Sequence, residues 1–170
     1  MKTCCFIGYN PFNLPFGSDE NNPFCNDLKA IIRHVLEEVI NDGHTYFICG
    51  FDRGSDVYFA EILLELKLKN PLIMLESAIP YENQASKWTE NDRERYYNLL
   101  AKCDYETMLQ TQYTSDCILK RNIYTIKKSD LLITVYNGKL SRVMETINYA
   151  QKLNKRIICI DPETLEVTEK

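Results

Sequence analysis

Short apolar runs alternate along this chain with segments in which apolar residues recur every three or four positions. The runs of strand length cover residues 3–8, 45–50, 72–79, 130–136 and 156–160, with a weaker one at 104–109. The segments of helical period cover residues 28–40, 55–69, 88–101, 116–128 and 141–153. Alternating strands and helices predict right-handed crossovers. The pattern therefore predicts an α/β fold with three layers, in which helices cover both faces of a mostly parallel sheet.

Local signals mark the ends of these elements. We expect Asn26 to cap the first helix and Gly43 to follow its end in a left-handed conformation. The Asn70-Pro71 pair ends the second helix, because the residue before a proline disfavours helical geometry. The acidic tail 161–170 is expected to fray.

Composition narrows the class of protein. The chain has 170 residues, of which 45% are apolar and 26% are charged, as in ordinary globular proteins. No apolar stretch approaches the roughly 20 residues that a membrane span needs, and the first residues do not read as a secretory leader. We therefore expect no membrane partner and one domain over residues 1–170.

The net charge of −4 argues against nucleic acid as a partner. Non-specific binding of nucleic acid depends on Lys and Arg side chains that neutralise phosphates. A local basic patch is the alternative, and its one candidate is the run Lys120, Arg121, Lys127 and Lys128. We favour a solvated helix face as the explanation of that run.

The seven cysteines are odd in number and include no Cys-x-x-Cys pair. Most of them lie in apolar runs, where Cys behaves as a small hydrophobe, so a reduced, cytoplasmic protein fits best. His34 and His44 are the only two histidines. We expect both to be structural or superficial, and no metal site is predicted.

Ligands of an open parallel sheet bind in the crevice outside the carboxyl ends of the strands. The turn after the first strand carries Gly8, Tyr9 and Asn10. Glycine allows close backbone approach, and the Asn side chain can donate and accept hydrogen bonds. An ordinary loop is the alternative interpretation.

The turn GFDRGSD after the second strand places Gly50 and Gly54 around a helix start. Backbone N–H groups at a helix start attract anions, so a phosphate or ribose could approach there. Asp52 and Asp56 would repel a phosphate unless they face a ribose hydroxyl. Alternatively, Ser55 or Asp56 simply caps the helix.

The stretch VYNGKLSRVMETINYA leaves the strongest strand, turns through a glycine and enters a helix. Gly138, Lys139 and Arg142 could all reach an anion at that helix start. Each could equally point into solvent.

Residues 80–88 could form another wall of the crevice. Tyr81 and Trp88 could stack on a base, and Gln84 could read the edge of that base. Alternatively, Trp88 anchors a helix on the sheet.

Four stretches, TCCFIG, YFICGFDRGSD, IPYENQASKW and RNIYTIKKSDLLITVYNG, together make the chain resemble the YpsA-like proteins. These small bacterial proteins belong to the SLOG superfamily, which resembles the DNA-processing protein DprA and the LOG-type nucleotide hydrolases. The resemblance spans nearly the whole chain. It implies a Rossmann-like fold and a nucleotide or nucleotide derivative as ligand. Arg121 and Asn122 match an Arg-Asn pair that family members show on the helix before the strong strand.

Two departures from the family pattern bear on function. Family members read Gly-His-Arg where this chain has Gly8-Tyr9-Asn10, and Gly-Gly-Thr where it has Ser141-Arg142-Val143. The missing glycines and Thr hydroxyl would wrap a phosphate. Glu145 lies one position from the place of the catalytic Glu of the LOG-type hydrolases. One position rotates a helical side chain by about 100°, so we do not assign Glu145 a catalytic role.

These observations favour a nucleotide-binding, sensor-like protein with a remodelled phosphate loop. The predicted ligand-binding residues all lie in or beside the loops above: Gly8, Tyr9, Asn10, Gly50, Asp52, Gly54, Asp56, Tyr81, Gln84, Trp88, Arg121, Asn122, Gly138, Lys139 and Arg142. One alternative is a partner-binding protein whose pocket has decayed. Another is a nucleotide N-glycosidic hydrolase, with Asp52, Asp56 or Glu145 as its carboxylate. No cofactor is evident beyond the nucleotide-like ligand, and self-association stays open.

Overall fold

The computed structural model describes residues 1–170 as one seven-stranded sheet with five helices packed against it. The strands are β1 (Lys2–Phe6), β2 (His44–Cys49), β3 (Met74–Ile79), β4 (Tyr105–Met108), β5 (Leu131–Val135), β6 (Arg156–Ile160) and β7 (Val167–Glu169). The helices are α1 (Pro23–Asn41), α2 (Ser55–Lys69), α3 (Glu90–Lys102), α4 (Cys117–Lys128) and α5 (Arg142–Lys152). No helix of the protein is long and apolar enough to cross a membrane.

The sheet has the strand order β4-β3-β2-β1-β5-β6-β7, and every pairing is parallel except that of β7 with β6. The chain adds strands in one direction from β1 to β4 and then returns to place β5 on the other side of β1. Right-handed crossovers put α1, α2 and α3 on one face and α4 and α5 on the other, and the helix contacts follow this division. The predicted Rossmann-like α/β fold is confirmed.

The central strands are buried on both faces. Every residue of β5 is buried, and Cys4, Cys5 and Phe6 of β1 have no exposed surface. Parallel strands covered by helices on both sides read as continuous apolar runs, which explains why the apolar pattern located them. The reversal of strand order therefore falls beside the best-buried strand of the sheet.

Of the two predicted ends of the first helix, one differs from the structure and one agrees with it. The first helix begins at Pro23, and its cap is Asn22, whose Oδ1 accepts the N–H of Phe24. The assignment of the cap to Asn26 was wrong, because proline is well suited to the first turn of a helix. The positive φ predicted for Gly43 is confirmed at 94°.

The tail does not fray as predicted. Residues Val167–Glu169 pair antiparallel with β6, and Glu169 also forms an ion pair with Arg156. The acidic composition of the tail suggested solvation, but pairing with an edge strand satisfies its backbone groups.

Candidate functional site

A cavity of about 340 Å³ lies at the carboxyl ends of β1 and β5, where the strand order reverses. Its walls come from the loops after β1, β2 and β5, from α4 and from the start of α5. They consist of Ile7, Gly8, Tyr9, Asn10, Asn13, Asp52, Ile118, Arg121, Asn122, Leu140, Ser141, Arg142 and Val143. This is the position at which doubly wound sheets bind ligands.

Arg121 is the most unusual residue of the cavity. Its side chain is only 3% exposed. Its Nε donates to Oδ1 of Asn122 at 2.8 Å, but its Nη1 is buried and has no hydrogen-bond partner. Arg121 takes part in none of the salt bridges of the protein. A buried cation without a counter-ion is costly, and this one borders an open cavity.

Asn122 connects Arg121 to the helix that begins at the cavity. Its Nδ2 donates to Oγ1 of Thr146 at 3.0 Å, and that hydroxyl donates to the backbone carbonyl of Arg142 at 3.1 Å. The orientation of the guanidinium is therefore held from α5. The Arg-Asn pair acts as a unit in which Asn122 positions and Arg121 presents positive charge.

Gly50 provides the space that the guanidinium occupies. A Cβ added at this position would lie 1.7 Å from Nη1 of Arg121. No side chain fits there without displacing the arginine. The glycine after β2 was predicted to admit a phosphate to the backbone; instead it admits a cation.

The loop after β1 is fixed by hydrogen bonds to its neighbours. The N–H of Gly8 donates to Oδ1 of Asp56 at 3.1 Å. The hydroxyl of Tyr9 donates to Oδ1 of Asn137 at 2.6 Å. Oδ1 of Asn10 accepts the N–H of Phe12 at 3.0 Å, which closes the next turn. All three predicted residues of this loop line the cavity.

Asp56 lies behind the cavity wall rather than in it. It is 3% exposed, and burial raises the pKa of its carboxyl to about 7. The positive charge of Arg121 acts against this rise in pKa, and the negative charge of Asp52 adds to it. Neither Ser55 nor Asp56 caps α2, so that alternative was wrong. The hydroxyl of Ser55 donates instead to the carbonyl of Tyr9 at 2.7 Å.

Gly54 precedes α2 as its N-cap, in a conformation that glycine favours. Its φ is 88°, and an added Cβ would lie 2.9 Å from the carbonyl oxygen of Tyr9. The second glycine of GFDRGSD therefore allows the loops after β1 and β2 to touch. Its role is the packing of two backbones, and it does not line the cavity.

The turn after β5 is capped by its own side chain. Oγ of Ser141 accepts the N–H of Met144 at 3.3 Å, so the first turn of α5 is partly satisfied internally. Arg142 is exposed and lines the cavity, whereas Lys139 pairs with Glu163 at 3.3 Å and does not line it. Gly138, with nothing within 4 Å of an added Cβ, belongs to an open turn. Of this turn's predicted residues, only Arg142 reaches the site.

The three residues predicted from segment 80–88 do not line the cavity. Tyr81 packs against Tyr113, with ring centres 5.3 Å apart. Nε2 of Gln84 donates to the carbonyl of Gly50 at 3.2 Å, which supports that turn from outside. The segment follows β3, two strands from the reversal, and this distance in strand order explains the miss.

Trp88 anchors α3, which was the alternative interpretation of this residue. Its ring meets Tyr96 with centres 5.4 Å apart, and Arg53 lies 5.3 Å from its ring centre. Nε of Arg53 is also buried without a hydrogen-bond partner. That guanidinium faces an aromatic ring, which offers a cation–π contact, whereas Arg121 faces the cavity.

Other candidate residues lie away from this site. Glu145 is exposed on α5 and does not line the cavity. His44 is buried with its Nδ1 3.2 Å from the carbonyl oxygen of Val39, and burial lowers its pKa. His34 is exposed.

A larger groove, of about 970 Å³, lies between α2 and α3. The buried part of its charge is already neutralised, because Arg95 pairs with both Glu20 and Glu61. Its walls therefore offer a ligand no unpaired, buried charge. The smaller cavity at the strand reversal has that property, and we take it as the candidate site.

Sequence reasoning did not single out Asn13, Ile118 and Leu140, which also line the cavity. Ile118 carried a signal, because it shares an inward stripe of α4 with Asn122 and Ile126 at helical spacing. Arg121 falls on the same stripe. Polar residues on a buried stripe mark a site, and this pattern was available in the sequence.

Comparison with known proteins adds a family and a fold. A family model described as the YspA SLOG family matches residues 4–165. A UPF0398 protein of Bacillus pumilus (strain SAFR-032) is 31% identical over 140 residues, covering 81% of this chain and 74% of the relative. A UPF0398 protein of Bacillus thuringiensis (strain Al Hakam) is 29% identical over 139 residues, covering 81% and 75%.

Two solved structures share the fold at low sequence identity. DNA processing protein A (DprA) from Streptococcus pneumoniae aligns with a TM-score of 0.59 and 11% identity, over 94% of this chain and 50% of that one. DNA processing protein A from Helicobacter pylori, whose structure describes a single-stranded DNA binding mode, aligns with a TM-score of 0.60 and 17% identity, over 93% and 64%. At such identities the likeness concerns the fold alone.

The expectation that nucleic acid is not a partner is contradicted by the second of these structures. The Helicobacter pylori protein contains this fold and binds single-stranded DNA. The inference from a net charge of −4 was wrong because net charge sums over the whole surface. Phosphate binding depends on the local field, and Arg121 and Arg142 supply two cations to one cavity.

Proposed function

The chain belongs to the YspA SLOG family, and we propose that it binds a small phosphate-bearing ligand, a nucleotide or nucleotide derivative, in the cavity at the β1–β5 reversal. The observation that carries this proposal is the buried guanidinium of Arg121, which has no carboxylate partner and leaves Nη1 without a hydrogen bond. A phosphate in the cavity would supply the counter-charge that the guanidinium lacks.

Two further features support a phosphate at this place. Arg142 adds a second cation, and the N-terminus of α5 carries partial positive charge toward the same cavity. A volume of about 340 Å³ is near the lower end of the range for ligand sites, which favours a compact ligand. The phosphate loop is remodelled in this proposal, since side-chain cations replace the backbone wrapping of Gly-Gly-Thr.

The setting that we propose is the reducing cytoplasm. All seven cysteines are free, and most are buried. Burial raises the pKa of the Cys5 thiol to about 12, so this thiol stays protonated and acts as a core side chain.

The proposal is tested by calorimetric titration of the chain with sulfate and with the four ribonucleoside 5′-monophosphates. We expect at least one nucleotide to bind, and Arg121→Met to weaken sulfate and nucleotide by about 100-fold, since Arg121 would make charge-assisted hydrogen bonds to the anion. Thermal unfolding with the same ligands gives a second readout, because a ligand of the native state raises stability.

Lys127→Met is the matched control for this experiment. Lys127 is an exposed cation on the same helix and does not line the cavity. We expect it to leave both affinities unchanged. The proposal fails if no ligand binds at millimolar concentration, or if Arg121→Met and Lys127→Met weaken binding equally.

A second candidate ligand is single-stranded DNA, because the fold is shared with a protein that binds it. Fluorescence anisotropy with a labelled oligothymidine at several salt concentrations tests this candidate. Binding to DNA would weaken steeply with salt and would fall in Arg121→Met if the same cavity holds a backbone phosphate. Salt-insensitive or absent binding would leave the small ligand as the proposal.

A further inference from the structure

Asp52 is a carboxylate in a cavity whose other charges are positive. It follows β2 by three residues, is half-buried, and lines the cavity with Arg121 and Arg142. It forms a salt bridge with neither arginine. Its Oδ1 accepts the N–H of Arg53 at 2.7 Å, which fixes the carboxylate against the turn.

A fixed carboxylate weakens the binding of a bare anion. Two like charges at close range repel, and the repulsion grows as water is excluded. An ionised Asp can only accept hydrogen bonds, so its partner in a ligand must be a hydroxyl or an N–H. The cavity therefore suits a ligand that carries a phosphate at one end and a hydrogen-bond donor at the other.

The walls of the cavity place a cation and a carboxylate on opposite sides of β1. Arg142 comes from the start of α5, on the β5 side of the reversal, whereas Asp52 comes from the turn after β2. Arg121, on α4, packs against Gly50 of that turn. A sugar phosphate has its phosphate and its secondary hydroxyls at opposite ends. In doubly wound sheets that bind dinucleotides, an acidic side chain after the second strand accepts from the ribose 2′-hydroxyl. By analogy, the position of Asp52 suits that contact.

Resting on the proposed function, we propose that Asp52 accepts the 2-hydroxyl of a ribose ring and selects ribose phosphates over their 2-deoxy counterparts. Arg121 and Arg142 hold the phosphate, and Asp52 reads the sugar. Selection by a hydroxyl-binding site is strong because the analogue without the hydroxyl leaves a polar group of the site unpaired.

The test uses ligands without a base, so that base preference does not enter. Ribose 5-phosphate, 2-deoxyribose 5-phosphate and sulfate are titrated into the chain and into Asp52→Ala, Asp52→Asn and Glu37→Gln. We expect the unmodified chain to bind ribose 5-phosphate about 10-fold more tightly than the 2-deoxy sugar. Asp52→Ala should lose this preference and bind sulfate as well as before or better, because a repelling charge is gone.

Asp52→Ala is expected to lose the preference for ribose 5-phosphate while its affinity for sulfate stays the same or rises. Damage to the fold would instead lower the affinity for both ligands. Asp52→Asn keeps the shape and an oxygen for the N–H of Arg53, and it covers the case in which Asp52→Ala unfolds. Glu37→Gln removes the same charge from an exposed site near the C-terminal end of α1, at the opposite edge of the sheet. This control should change neither the preference for ribose 5-phosphate over the 2-deoxy sugar nor the affinity for sulfate.

The outcomes distinguish this inference from the proposed function. Equal affinity for the two sugar phosphates, with binding that still depends on Arg121, would overturn the role of Asp52 and leave phosphate binding intact. A parallel change of sulfate and ribose 5-phosphate in Asp52→Ala would do the same. If neither sulfate nor ribose 5-phosphate binds, both proposals fall.

Discussion

Charged side chains at the amino ends of the strands, here called the amino edge, are paired. Two of those at the carboxyl ends, the carboxyl edge, are not. At the amino ends of the strands, Asp42 forms salt bridges with Lys2 at 3.3 Å and with Arg156 at 3.2 Å, and Arg156 also pairs with Glu169. At the carboxyl ends, Arg121 lies buried with no carboxylate partner, and Asp52 faces the same cavity without a salt bridge. These charges at the amino edge are neutralised by partners within the chain, whereas Arg121 and Asp52 at the carboxyl edge form no salt bridge.

The difference separates charge that is neutralised within the chain from charge that is not. Pairs at a half-exposed edge hold the start of the sheet together and need nothing from outside the chain. A desolvated cation without a partner costs stability, so folding alone would not favour it. In the proposed function, a phosphate-bearing ligand completes this charge, which Asn122 holds and for which Gly50 leaves room.

The largest expected effect is a dependence of the free energy of unfolding on pH, which arises from Asp56 at the carboxyl edge. Burial raises the folded-state pKa of Asp56 to about 7, whereas the unfolded value is about 4. The folded state therefore holds its proton more tightly, and the stability contribution is fully present below pH ~4 and is lost as pH rises through ~7. Asp56→Asn should remove this dependence, which amounts to at most about 4 kcal/mol.

Urea unfolding of the chain and of Asp56→Asn at pH 5, 6, 7 and 8 measures this effect. Asn retains an oxygen that can accept the N–H of Gly8. Burial lowers the pKa of His44, but this residue is common to both proteins, so its contribution cancels in the difference. Parallel curves for the two proteins would contradict the prediction.

The next effect sharpens the role of Gly50. Gly50→Ala would place a Cβ 1.7 Å from Nη1 of Arg121, and overpacking of this kind costs about 1–3 kcal/mol. We expect lower stability together with loss of sulfate binding, because the guanidinium must leave its place. Denaturant unfolding and sulfate titration check the two parts.

Gly138→Ala is the contrasting variant. Gly138 has a φ of 88° but open space around it, so alanine is strained there without touching the arginine. Stability should fall while sulfate affinity stays unchanged. If Gly50→Ala kept full sulfate affinity, the comparison between the two edges would lose its main support.

The smallest effect belongs to the amino edge. Arg156→Met breaks the contacts of Arg156 with Asp42 and Glu169. Half-exposed ion pairs contribute little, so we expect a loss of about 0.5–1 kcal/mol that shrinks in high salt. Thermal unfolding at low and high salt measures it. Sulfate affinity should not change. A change would contradict the view that charges at the amino edge take no part in binding at the carboxyl edge.

Much of the fold was predictable from the sequence, and particular elements show why. β5 is buried on both faces, so its apolar run DLLITVY located it directly. The start of α1 and the pairing of β7 were missed, because one depends on which of several Asn residues caps the helix and the other on the tail folding back onto β6, the strand just before it. Both are decided by competing contacts that a local pattern does not contain.

The site was predictable in part. The rule that ligands bind at the carboxyl ends of strands selected the loops of Gly8, Asp52 and Arg142, and these line the cavity. Arg121 came from the resemblance to a family, although its place on an apolar stripe of α4 was a signal. Trp88 and Lys139 do not line the cavity, because Trp88 packs against Tyr96 and Lys139 pairs with Glu163.

The sequence by itself determined the alternation of strands and helices, the parallel sheet and the turns that could hold an anion, because these follow from local periodicity and backbone chemistry. Only the tertiary structure decided which cation is left unpaired. Arg95 and Arg121 have the same side chain, yet Arg95 pairs with two carboxylates whereas Arg121 borders a cavity and pairs with none. The physical reason is that neutralisation and desolvation depend on neighbours brought together from distant parts of the chain.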